Sequence, residues 1–271
     1  MASMRDIKRR KGSVQSTQQI TKAMKLVSTV KLQRAKGRAE KSKTYFRCMY
    51  DTVVSMLSKA GEINHPYLKP GDSPRKAVIL ITANRGLAGG YNSNIVKLVK
   101  NNGWNKEDLI IYPVGSKGRD AFGRMGYEIG PDYSAMIEEP LYADAMEISN
   151  TVLDDFASGK IGEIYVAYTG FKNTVTHVPT LLKLLPVEVD EKEEESGDAD
   201  DKALMSFEPE DEESLDMIIP KYITSLIYGG MVESVASENG ARMQAMDSAT
   251  SNAEEMIDNL TLLYNRARQG S

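Results

Sequence analysis

The last sixty residues constrain this chain more than any other stretch. Read backwards from Ala267, apolar side chains fall at Leu263, Leu260, Met256, Ala253, Ala249 and Met246. The steps alternate four and three, the spacing of a heptad seam that turns one narrow stripe toward a partner helix. The same register carried further back meets Arg242 and Asn239, then Val235, Val232 and Tyr228, so the seam continues through a polar interruption. Glu238, Asp247, Glu254, Glu255, Asp258 and Arg266 lie between the stripe positions and suit a solvated face. Gly229, Gly230 and Gly240 each weaken a helix by about 1 kcal/mol relative to Ala. A continuous helix from about Ser214 to Gln269 would run roughly 80 Å. A helix that long needs a partner.

The other end of the chain supplies one. Residues 4 to about 59 hold no proline and only Gly12 and Gly37, and they are rich in Lys, Arg, Gln, Ala, Met and Leu, which are good helix formers. Ile7, Val14 and Thr21 lie seven apart. Ile20, Met24 and Val27 step by four and three, with Lys31 and Arg34 interrupting. Basic residues crowd this segment from Arg5 to Lys43 against only Asp6 and Glu40, whereas the C-terminal helix is acidic. Stripe and charge both predict an antiparallel pair of the first and last helices.

Between them, Gly61 to Pro74 reads as a loop, with Pro66, Pro70, Gly71 and Pro74 as breakers. Lys76–Thr82 and Leu109–Val114 are short apolar runs typical of buried strands. Helical patterns follow at Ser93–Asn101, Ser116–Arg124 and Ala143–Ala157. Glu163–Thr169 and Thr176–Val189 read as strands joined by a hairpin-like turn around Gly170 and Asn173. Alternating strands and helices predict an α/β unit with a largely parallel sheet and an antiparallel edge. The expected fold is therefore α/β: an antiparallel coiled coil of long terminal helices with an inserted Rossmann-like α/β domain. The divisions are residues 1–60, 61–210 with an acidic loop at 190–201, and 211–271 paired with 1–60. Ser214 or a neighbour should cap the last helix.

The net charge of −4 excludes nucleic-acid binding by bulk charge. Cys48 is the only cysteine, which rules out an intrachain disulfide and points to a reducing compartment. No apolar run approaches the roughly 18–20 residues that span a bilayer, and the opening Met1-Ala2-Ser3-Met4 lacks a hydrophobic signal core. His65 and His177 stand far apart, without the clusters that metal or histidine catalysis needs. No nucleophile elbow or P-loop is present. The turn Asn84-Arg85-Gly86-Leu87-Ala88-Gly89-Gly90-Tyr91-Asn92 could cradle a phosphate on backbone N–H groups. Its glycines do not match G-x-G-x-x-G, however, and tight strand–helix packing is the favoured reading. The basic N-terminal helix is open to three readings: a solvated face, a nucleic-acid site, or a surface for an acidic protein. Base-stacking aromatics are missing before Tyr45 and Phe46.

Three motifs in order carry a family resemblance. They are Thr82–Asn92; the opening Met4–Arg10 with Ile20-Thr21-Lys22-Ala23-Met24-Lys25; and Ser237–Met246 continuing through Tyr264–Gln269. Across essentially its whole length the chain resembles the gamma subunit of the F-type ATP synthase, bacterial members above all. The resemblance implies a non-catalytic rotor without cofactor, metal or bound nucleotide. One copy threads a ring of three alpha and three beta subunits, and its foot rests on the membrane ring of c subunits with epsilon alongside. It would lie peripherally on the cytoplasmic side of a bacterial membrane and couple proton or sodium flow to ATP synthesis. Carried over by motif, Arg9, Lys22, Met24, Lys25, Arg268 and Gln269 face the beta subunits, and Phe207, Glu208, Pro209 and Glu210 rest on the c ring or epsilon. Family members continue for a few turns beyond Gln269-Gly270-Ser271; either the tip lies outside this sequence, or a chain shortened there would meet the upper bearing more weakly and keep its fold. The acidic stretch Glu191 to Asp201 is longer than the family pattern and reads as a solvated loop, with a regulatory arm near epsilon as the other reading. The rival to the whole account is a nucleic-acid-binding coiled-coil protein using the basic N-terminal helix.

Overall fold

The computed structural model describes residues 3–59, 65–187 and 212–269. The acidic loop 190–201 and Phe207, Glu208, Pro209 and Glu210 lie outside the described residues. Helix α1 runs Met4–Lys59 and helix α5 runs Glu212–Gln269, 56 and 58 residues. Ser214 therefore lies inside α5 instead of capping it, and Pro220 is also within the helix.

The two helices are antiparallel and in a fixed register. Gln18 Nε2 donates to Glu254 Oε1 at 3.0 Å, the Thr21 and Thr250 hydroxyls share a bond of 2.8 Å, and Lys25 Nζ reaches Asp247 Oδ1 at 2.6 Å. The seven residues from Gln18 to Lys25 up α1 are matched by the seven from Glu254 to Asp247 down α5. The register still holds well below, where the rings of Tyr50 and Tyr222 lie 6.5 Å apart.

The seam differs from the sequence expectation in one column. Met246, Ala253 and Leu260 are buried and Ala267 is half-buried. The alternate positions are filled by Thr250, Ile257 and Tyr264, while Met256 and Leu263 are 54% and 50% exposed. Apolar residues stand side by side at 256–257 and 262–264, so spacing alone could not choose between them. The partner helix makes the choice. On α1 the column Ile7, Val14, Thr21, Ser28, Ala35 faces α5, with Leu32 and Ala39 beside it. Ile20 and Val27 instead point outward, 60% and 57% exposed. Lys31 and Arg34 do not interrupt this seam, because they are not in it. Its inner positions include Thr and Ser, which conceals the repeat from a hydrophobicity reading.

Between the helices lies a five-stranded sheet in the order β3-β2-β1-β4-β5. Its strands are β1 Lys76–Ile81, β2 Leu109–Val114, β3 Glu128–Ile129, β4 Glu163–Phe171 and β5 His177–Leu185. All neighbours are parallel except β4 and β5. Helices α2 Tyr91–Lys100, α3 Ser116–Arg124 and α4 Tyr142–Ala157 complete the body. Strand β3 and the three short 3-10 turns carry no periodic signal and were not anticipated. Helix α2 starts two residues before the sequence expectation, directly on Gly90, and β5 ends at Leu185, ahead of Pro186.

Both sheet faces are covered, so its strands are apolar without alternation. Val78, Leu80, Leu109 and Ile111 meet Ile95 and Val99 of α2 and Phe122 of α3. Ile79, Ile81, Ile110 and Tyr112 meet Ile148, Val152 and Phe156 of α4, together with Leu215, Ile219, Ile223, Ile227 and Met231 of α5. That last set is a ridge with steps of four, the row by which a helix packs on a broad surface. Helix α5 thus has two jobs along its length: its lower half seals the sheet and its upper half pairs with α1.

Candidate functional site: the shaft and its neck

The expected partner-facing residues form two groups. At the tip, Arg9 is held by Asp6 at 3.4 Å one turn away. Arg268 and Gln269 are exposed on the last turn of α5, and the antiparallel register brings that turn beside the start of α1. Lys22, Met24 and Lys25 sit about 20 Å further down. Lys22 is exposed and Met24 half-buried. Lys25 is already engaged by Asp247 across the shaft, so it stabilises the register as well as presenting charge.

Met24 opens onto a groove of about 590 Å³ where the shaft meets the body. Val27, Lys31, Arg34 and Arg38 line it from α1, Asn84–Leu87 and Ile137–Pro140 from the body, and Glu238, Asn239 and Arg242 from α5. Sequence reasoning missed Arg85 and Arg242 here. Arg85 was hidden in a turn read for its glycines, and Arg242 was read as a flaw in the seam. Arg242 in fact pairs with Glu238 at 2.7 Å, with side chains only 11% and 14% exposed, so Glu238 does not belong to a solvated face. Arg242 also donates to the Gly86 carbonyl at 3.2 Å.

That bond explains what the glycine-rich turn is for. In open α/β sheets a ligand sits outside the carboxyl ends of the strands, where the strand order reverses. Here that point lies between β1 and β4, and α5 occupies it. Ala241 packs against Ala83, Ala88 and Tyr91. A Cβ at Gly230 would come within 3.3 Å of the Tyr168 ring and 3.4 Å of Ile81, so glycine lets the helix lie directly on the strand ends. The turn's polar groups bond internally: Ala83 N–H donates to Asn92 Oδ1 at 2.9 Å, Ser116 N–H to Asn84 Oδ1 at 2.9 Å, and Asn84 Nδ2 to the Ser134 carbonyl at 2.7 Å. One carbonyl of the turn, that of Gly86, holds α5.

His65 and His177 are not brought together. His65 is buried, accepting from the Tyr67 N–H and facing Asp216 at 3.1 Å. His177 packs on α5 beside Gly240, and burial holds its pKa below the usual histidine value. Among the described residues no group of His, Cys, Asp and Glu could hold a metal ion, and no helix is long and apolar enough to cross a membrane.

A long two-helix shaft, a body clamped to its lower half and a ligand crevice filled by the chain's own helix define a stalk-like protein built around a coiled coil. The sequence profile described as ATP synthase matches residues 3–271. The gamma chain of Lachnoclostridium phytofermentans ATP synthase is 62% identical over 275 residues, covering 100% of this chain and 94% of that one. The sodium-ion-specific gamma chain of Acetobacterium woodii is 41% identical, covering 99% and 94%. Among solved structures, the central stalk of the Tetrahymena thermophila mitochondrial ATP synthase matches with a TM-score of 0.61 and 25% identity, covering 85% of this chain and 99% of that one. This chain belongs to the ATP synthase gamma chain family, whose members are non-catalytic subunits of the complex. The nucleic-acid alternative is not supported, because the relatives spanning the chain are gamma chains.

Proposed function

We propose that residues 1–60 and 211–271 form the rotating shaft of the synthase and residues 61–210 the body that drives it. One copy stands inside a ring of three alpha and three beta subunits, with the foot on the c ring, epsilon beside it, and the assembly on the cytoplasmic face of a bacterial membrane. The supporting observation is the one-sided pairing of α1 and α5. The bonds Gln18–Glu254, Thr21–Thr250 and Lys25–Asp247 lie along and beside the seam, while Lys22 and the apolar Met256 and Leu263 are exposed.

That outer surface suits a bearing. Two helices locked in register resist bending, while exposed charges such as Arg9, Lys22 and Arg268 can meet acidic beta segments in contacts worth about 0–1 kcal/mol each. Contacts that weak can form and break at each step. Phe207, Glu208, Pro209 and Glu210 are assigned to the c ring or epsilon on the resemblance alone.

Reconstitution tests the proposal. Mixed with alpha and beta subunits of a close relative, the chain should enter at one copy per hexamer and support ATP-driven rotation of a probe fixed to the body. ATPase activity in the isolated chain, or failure to join the hexamer, would refute it.

A further inference from the structure

Strand β4 outlasts its neighbour. Its parallel pairing with β1 ends at Leu80 against Ala167, yet β4 continues to Phe171. On the far side β5 still pairs with it, Thr169 facing Pro179 and Phe171 facing His177. The edge that β1 leaves behind carries backbone N–H and C=O groups in a buried place, where such groups need partners.

Side chains of α5 supply those partners. Thr169 N–H donates to Ser234 Oγ at 3.1 Å, Ser237 Oγ donates to the Thr169 carbonyl at 3.0 Å, and Phe171 N–H donates to Glu233 Oε2 at 3.2 Å. Thr169, Ser234 and Ser237 are buried. Three side chains within about one helical turn thus stand in for the missing end of a strand, bonding α5 into the sheet.

We infer that Glu233, Ser234 and Ser237 are the joint through which torque passes between body and shaft. The contact below this joint, from Leu215 to Met231, is mainly apolar, with a polar contact at its far end, His65 to Asp216 at 3.1 Å. Apolar burial holds surfaces together but is non-directional, so it opposes rotation of α5 about its own axis less than it opposes separation. Hydrogen bonds have a preferred distance and angle. Bonds to both the N–H and the C=O of Thr169, with a third two residues on, fix the helix azimuth against the sheet. They also sit at the neck, just below the point where α5 leaves the body for the coiled coil. The three residues position the shaft and take no part in chemistry. The inference rests on the rotor reading.

The test uses the complete membrane-bound complex carrying Ser234→Ala with Ser237→Ala, and separately Glu233→Gln, which keeps an acceptor. In the double variant the Thr169 amide should exchange about tenfold faster. ATP hydrolysis by the detached soluble part should match the parent, because the shaft still turns in its ring. Ions pumped per ATP should fall below the parent as the opposing gradient rises, and Glu233→Gln should stay near the parent. If the double variant does not assemble, Ser237→Ala alone removes one bond and should show a smaller fall. A coupling ratio equal to the parent at every load, with Thr169 exchange accelerated, overturns the inference. A parent complex whose body does not rotate contradicts the rotor reading instead.

Discussion

The ring of His177, at the start of β5, lies so close to the backbone of α5 that a Cβ placed on Gly240 would stand 2.6 Å from its Nε2. The glycine in the middle of a long helix is thus a contact requirement of the neck. Replacing it by alanine improves helix propensity by about 1 kcal/mol but forces the half-buried ring to move. Gly240→Ala should therefore destabilise the chain by about 1–3 kcal/mol in urea unfolding. Combining it with His177→Ala should recover most of the helix gain relative to His177→Ala alone.

The same ring makes stability depend on pH. Burial disfavours the imidazolium, so the folded pKa is lowered and the unfolded chain binds the extra proton. The stabilisation from the neutral ring is complete above the unfolded value of about 6.5 and is lost as pH falls below that toward the folded value. Urea midpoints measured from pH 7.5 down to 5 should decline more steeply in the parent than in His177→Gln.

The shaft offers a direct contrast between neighbouring residues. Ile257 and Leu260 face α1, whereas Met256 and Leu263 face outward. Ile257→Ala and Leu260→Ala should each cost about 1–3 kcal/mol, less than a fully enclosed core site because the shaft is thin. Met256→Ala and Leu263→Ala should stay within about 0.5 kcal/mol in the isolated chain. Equal losses at all four positions would mean that the seam is not the one described.

Glu238 and Arg242 form a nearly buried ion pair at the neck. Removing one partner strands the other charge, so Glu238→Ala should cost about 3 kcal/mol. Replacing both, as Glu238→Leu with Arg242→Met, should cost less than the single change. Thermal unfolding of the two variants side by side checks this.

Most of the architecture was legible because it rests on period and punctuation. The heptad spacing at Met246, Ala253 and Leu260, the apolar runs of β1 and β2, and the proline-rich exit after α1 announce themselves. The matching column on α1 was legible only from Ile7 through Val14 to Thr21, which bonds to Thr250 across the seam; its continuation through Ser28 and Ala35 was not, because polarity at Ser28 disguises burial. The neck was illegible for a related reason. Arg242 and Asn239 break the apolar repeat because the body packs there, and Glu233, Ser234 and Ser237 bond to backbone atoms of a strand sixty-odd residues away, a partnership that leaves no spacing signal. Arg85 stood in plain view but was overshadowed by its glycines.

The most direct test of the account is a ruler laid along the shaft inside the assembled complex, with Cys48 replaced by serine and spin labels placed in pairs. Labels at 25 and 247 should lie close together, as should labels at 50 and 222, while labels at 25 and 222 should stand about 37 Å apart, twenty-five residues of helical rise. A 25–247 separation as long as the 25–222 separation would contradict it, since the two ends of the chain would then not be one axle.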